Sequence, residues 1–132
     1  MKFLSLVLPI FLSLIFFVVG LSTIFHYGVN WDEVTHFTRG QAYLHYFLSA
    51  GKIQKTIDRS TVRQSEFYDV EHQADYYLTH DKGHPPLTDI LFALSNYIFY
   101  SKLGILPDVA AYQVMGVLLS SFLVFVITRF AV

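Results

Sequence analysis

The chain has 132 residues, 54% of them hydrophobic and 17% aromatic, with a mean hydropathy of +0.46. Only 14% are charged, against roughly 25% in an ordinary soluble domain, and that profile belongs to a membrane protein. A net charge of −1 offers no basic excess for nucleic acid, and the lack of cysteine excludes disulfides and thiolate metal sites.

From Phe3 to Phe25 no residue is charged, and only Ser5, Pro9, Ser13, Gly20, Ser22 and Thr23 break the apolar run. About 20 such residues cross a hydrocarbon core of roughly 30 Å as a helix, so 3–25 is predicted as a first transmembrane helix. Lys2 ahead of that run also suits a cleaved signal peptide, but the apolar core of a signal is usually about 7–15 residues and this run is longer. A large polar loop follows over 26–84. Inside it, Val34, Phe37, Leu44, Phe47 and Leu48 recur at helical spacing. They predict an amphipathic juxtamembrane helix over 32–49, with Gly51 as its stop. Trp31, Tyr43 and Tyr46 suit a helix lying along the membrane surface. The remainder of the loop is polar and mixed in charge, with one short helix expected around Val70 to Leu78.

His84-Pro85-Pro86 opens a second apolar run, predicted as a span over 85–101, because proline is tolerated in a first helical turn. The run is short and holds Asp89 and Asn96, polar residues that in such a place face protein or a wet cavity. "GILPD" is a tight connector. A third span is predicted over 109–128, where Ala110, Ala111, Gly116, Ser120 and Ser121 admit a close neighbour. The expected architecture is an all-α, multi-pass membrane protein of about three transmembrane helices plus one large external loop. Lys2 and Lys102 favour an inside N-terminus with that loop on the outer or luminal face. A loop so large behind so few spans suggests the N-terminal part of a longer polytopic protein.

The acidic pair Asp32-Glu33 stands just beyond the first span. Asn30 can cap the helix, with Glu33 at the reciprocal position of a capping box, and acidic groups suit the positive end of a helix dipole. A carboxylate at a span's exit also lies where a lipid headgroup would sit, placed to act as general base toward an acceptor hydroxyl. Two carboxylates from separate segments, such as Asp32 and Asp89, could flank a sugar. His72, His80 and His84, interspersed with Glu71, Asp75 and Asp81, make a divalent metal conceivable, although no strict metal motif occurs and ordinary loop histidines are the simpler reading.

Taken together, "DEVTHFTRGQAYL" from Asp32 and "GHPPLTDILFAL" from Gly83, in that order behind a first span, resemble the start of a known enzyme class. The resemblance is to membrane glycosyltransferases of the GT-C fold, of the protein O-mannosyltransferase and aminoarabinose-transferase type. It covers essentially this whole chain but about the first quarter of a usual member. It implies a partial GT-C fold and an enzyme that moves a sugar from a polyprenyl- or dolichyl-phosphate donor to an acceptor hydroxyl, with inversion. By the family pattern Asp32 is the base, Glu33 shapes the acceptor site, and His84 lines the cavity. Arg39 and Lys82 are the local groups able to stabilise the leaving phosphate. Two rivals stand beside this reading: a transporter segment whose Asp89 and Asn96 line a path, and a binding module behind a signal peptide.

Overall fold

The computed structural model describes residues 4–52, 63–81 and 86–131. Among them the elements are all helical: α1 (Leu4–Thr23), α2 (Trp31–Leu48), α3 (Ala74–His80), α4 (Pro86–Asn96) and α5 (Asp108–Ala131). A 3₁₀ turn at Ile24–His26 extends α1, and a π-helical segment at Tyr97–Lys102 extends α4.

Among the described residues, Leu6–His26 and Asp108–Ala131 are long and apolar enough to cross a membrane, with mean hydropathies of 2.5 and 2.1. A core helix of a soluble protein is mostly buried, whereas the most apolar windows of these two are only 17% and 11% buried. The two helices pack antiparallel. Ser13 Oγ donates to the Ser121 carbonyl at 2.8 Å, and one and two turns further along, Gly20 meets Val117 so closely that a Cβ would fall 2.7 Å from its Cγ1. The C-terminal end of α1 and the N-terminal end of α5 therefore lie together, and the segment between them leaves and returns at one end of the pair.

The predicted second span is helical over its described residues. α4 and its π-helical extension hold 11 and 6 residues, together about 25 Å at up to 1.5 Å per residue, somewhat less than a hydrocarbon core of roughly 30 Å. α4 packs between α2 and α5 at the N-terminal half of α5. Its polar residues explain this: Asp89, Ser95 and Asn96 are 3%, 2% and 0% exposed, and each has protein partners that lipid could not supply. Ser95 Oγ donates to the Ala111 carbonyl at 2.7 Å. Asn96 Nδ2 donates to Asp108 Oδ1 at 2.6 Å, and Asn96 Oδ1 accepts from Gln41 Nε2 at 3.1 Å.

Apolar spacing identified α2 but not its buried face. Val34, Phe47 and Leu48 are exposed, while Phe37, Arg39, Gly40, Gln41, Ala42, Tyr43 and Leu44 are buried. Gly40 sets the distance between α2 and α4, because a Cβ there would stand 2.3 Å from the Asp89 carbonyl oxygen. Below it, Phe37 stacks on Tyr112 of α5 with centroids 4.1 Å apart, and Phe67 closes both rings edge-on. Tyr112 Oη accepts from Gln41 Nε2 at 2.5 Å and shares a hydrogen bond with Ser65 Oγ at 2.9 Å. The short loop helix lies at Ala74–His80, slightly later than expected, and buries Ala74 and Tyr77 on Ala42 and Tyr43. Burial pushes the Tyr77 hydroxyl up to about 12.

Candidate active site

Asn30 ends its extended segment as the N-cap of α2, and the capping box is present. Its Oδ1 accepts the Trp31 N–H at 2.7 Å, while Glu33 Oε2 reaches back to accept the Asn30 N–H at 2.9 Å. The other Glu33 oxygen accepts from Gln113 Nε2 of α5 at 3.3 Å. Glu33 thus ties the start of α2 to α5. Its neighbour Asp32 has no such tie to the cap, and its side chain is 83% exposed.

One turn along, at i+4 and i+7 from Asp32, the same helix face carries His36 and Arg39. Facing them from α4 is Asp89. His36 Nδ1 lies 2.9 Å from Asp89 Oδ1 and 2.8 Å from Arg39 Nη2, and His36 Nε2 lies 3.5 Å from Asp32 Oδ2. Arg39 Nε donates to Asp89 Oδ2 at 2.5 Å, and its Nη1 donates to Asp81, just after α3. The guanidinium is 2% exposed, and its two carboxylate partners are 4% and 25% exposed. Burial alone would lower the Arg39 pKa, but the hydrogen bonds to Asp89 and Asp81 outweigh it and hold the pKa above the ordinary value.

His36, Arg39 and Asp89 border an open cleft of about 300 Å³. Glu33, His36, Phe37 and Arg39 of α2 form one wall, and Thr88, Asp89 and Phe92 of α4 form the other. A second groove, of about 480 Å³, lies on the far side of Glu33. Its lining joins the polar His26, Asn30 and Gln113 to the apolar Phe16 and Val117.

Of the sequence-predicted site residues, Asp32, Glu33, Arg39 and Asp89 are brought to one place. His84 and Lys82 lie outside the described residues. Asp32 and Asp89 do not face each other across a gap: the His36 ring stands between them. Arg39 is bound by two carboxylates, so its charge is already answered from within the fold. Among the described residues no group of three or more His, Asp or Glu side chains is arranged to hold a metal. His72 instead bonds Asp69 at 2.5 Å and abuts Tyr76, and His80 stacks on the same Tyr76 ring.

Compared with known proteins, the chain matches no protein-family model, no curated protein and no solved structure.

Sequence reasoning missed His36, although a signal was present. Asp32, His36 and Arg39 recur at i, i+4 and i+7, which places them on one helical face. Asp81 as an Arg39 partner carried no local signal, because 42 residues separate the two.

Proposed function

We propose that the chain forms the acceptor-side cleft of a membrane glycosyltransferase of the GT-C type, using a polyprenyl- or dolichyl-phosphate sugar. The observation that carries this reading is the difference between two adjacent carboxylates. Glu33 is held by the cap and by Gln113, whereas Asp32 is exposed beside His36, a residue of the cleft wall, and follows a helix fit to cross a bilayer. The motif resemblance that opens at Asp32 adds independent support. Asp32 takes the proton of the acceptor hydroxyl as that oxygen attacks the anomeric carbon, and the carrier phosphate leaves with the bonding electrons. Arg39 serves by holding Asp89 and Asp81 in place. Groups that meet the phosphate come from elsewhere, with Lys82 a candidate. This role does not require 85–101 to cross the bilayer, since α4 need only bring Asp89 and Phe92 to the cleft.

A transporter would need Asp89 and Asn96 to face a path, yet both are buried and bonded to neighbouring side chains. The test is sugar transfer by the full-length polypeptide in membranes supplied with labelled lipid-linked sugars. Loss of a general base costs about 10²–10⁴-fold, so Asp32→Asn at matched expression is expected to lose at least a hundredfold. Equal transfer by mutant and wild type would return Asp32 to the helix dipole alone.

A further inference from the structure

The groove on the far side of Glu33 runs along the junction of α1 and α5, where the end of one helix meets the start of the other. Helix order fixes what each level of it presents. Phe16 and Ser120 line the part that lies within the two apolar helices, and Gln113 lines it nearer the start of α5. His26 closes the α1 stretch fit to cross a bilayer, about 15 Å along the helix from Phe16. Asn30 and Glu33, at the cap of α2, complete this polar end.

Size and charge restrict what fills it. A gap that faces hydrocarbon forfeits dispersion contacts until something occupies it. A helix 10 Å across takes up about 1,200 Å³ over 15 Å, whereas the groove offers about 480 Å³, which suits a hydrocarbon chain. Its lining includes the acidic Glu33 and no Lys or Arg. The Glu33 oxygens accept from the Asn30 N–H and from Gln113 Nε2, but a carboxylate has about four acceptor sites, so about two are left. Asn30 Oδ1 is taken by the Trp31 N–H, while Asn30 Nδ2 and the His26 ring have no partner among the described residues. A purely anionic headgroup would meet Glu33 with no cation to offset it. A headgroup that carries both an ammonium and a phosphate is answered at both ends.

We infer that this groove seats a zwitterionic phospholipid of the ethanolamine class, with one acyl chain between α1 and α5 and the headgroup at the start of α2. The ammonium donates to Glu33, and the phosphate accepts from Asn30 Nδ2 and the His26 ring. Choline has the same charge but no N–H, so it forfeits the charge-assisted hydrogen bonds. Bound there, the lipid ties the exit of α1 to the cap of α2. The inference rests on α1 and α5 crossing a bilayer and not on sugar transfer, so it stands or falls apart from the role of Asp32.

The test uses the 132-residue chain purified in detergent. It is titrated with phosphatidylethanolamine, phosphatidylcholine and phosphatidylglycerol of identical acyl chains, and bound lipid is counted by native mass spectrometry. One ethanolamine lipid per chain is expected, held about tenfold more tightly than the other two, the scale of one hydrogen bond to a charged group. Glu33→Gln keeps the capping box, which glutamine also serves, and is expected to remove that preference. Ser120→Trp fills the part that takes the acyl chain and is expected to weaken all three lipids alike. Helical circular dichroism at the wild-type level shows that both variants are folded. No bound lipid, equal affinity for the three, a preference for phosphatidylglycerol, or a preference that survives Glu33→Gln overturns the inference. Lipid held by this chain but excluded from the full-length polypeptide would give the groove to another span, and dimers lost in Ser120→Trp would give it to a second copy; either overturns it too.

Discussion

Both oxygens of Glu33 are committed within the fold, one to the Asn30 N–H and the other to Gln113, so its loss is expected to show first in stability. Asn30→Ala, which removes the other half of the box, is expected to cost about 1 kcal/mol, as N-cap truncations do. Thermal unfolding in detergent checks it; an unchanged midpoint would mean that packing alone holds the start of α2. A second residue-scale effect belongs to His45, which abuts Tyr68 with centroids 4.6 Å apart. Burial lowers its pKa below the ordinary 6.5. Between the folded value and 6.5 the unfolded chain binds more protons, so stability is complete above that pH and is lost as pH falls through the folded value. Asp69 shifts downward too: burial would raise it, but hydrogen bonds from the His72 ring and the Glu71 N–H outweigh that. It adds a loss with the same sign at lower pH. His45→Gln should therefore flatten the fall in melting temperature just below pH 6.5 and leave the more acidic part. A profile unchanged by the substitution would remove His45 as its source.

At the level of elements, the contact between α2 and α4 depends on a missing side chain. Gly40→Ala brings a methyl to 2.3 Å from the Asp89 carbonyl oxygen, a backbone atom that cannot swing aside. The helices must separate, at a cost of about 1–3 kcal/mol typical of overpacking. The separation also pulls Asp89 from Arg39 and His36, so the sugar transfer proposed for the cleft should fall with stability. Gly28→Ala, where no atom lies within 4 Å of the added carbon, is the matched control and should change neither. If Gly40→Ala behaves like Gly28→Ala in unfolding and transfer, the close approach is not part of the folded state.

Much of this layer was legible in the sequence. The polar caps and breakers at Asn30, Gly51 and Pro107 bound helices that apolar spacing marks out, and the small residues Ala110, Ala111 and Ser121 do sit at packed positions. What spacing could not supply was the partner of each face. Arg39 and Gln41 look like solvent-facing residues of an amphipathic helix until Asp89, Asn96 and Tyr112 arrive from 50 or more residues away. A buried polar seam of this kind is written in pairs, and each half alone resembles a surface.

Over the whole molecule, the direction of α5 relative to α1 decides the topology. Three spans in succession would make the first and third run the same way, with the 103–107 connector on the opposite membrane face from Trp31. Instead Ser13 pairs with Ser121 and Gly20 with Val117, so the two apolar helices run oppositely and that connector returns to the end where α2 begins. Hydropathy could not reveal this, because α4 is apolar enough to resemble a short span while its Asp89 and Asn96 are satisfied inside the protein layer. The chain has no cysteine, so single cysteines can be read without background using a membrane-impermeant maleimide. Trp31→Cys and Ile105→Cys lie at positions 91% and 63% exposed, and both should react from the same side of sealed vesicles. Leu14→Cys and Phe122→Cys are also exposed in the fold, at 56% and 63%, but should stay unlabelled until detergent removes the lipid that covers them. Labelling of positions 31 and 105 from opposite sides would establish 85–101 as a true span and require α1 and α5 to part. Free labelling of 14 and 122 in intact vesicles would show that these apolar faces meet water and not a bilayer.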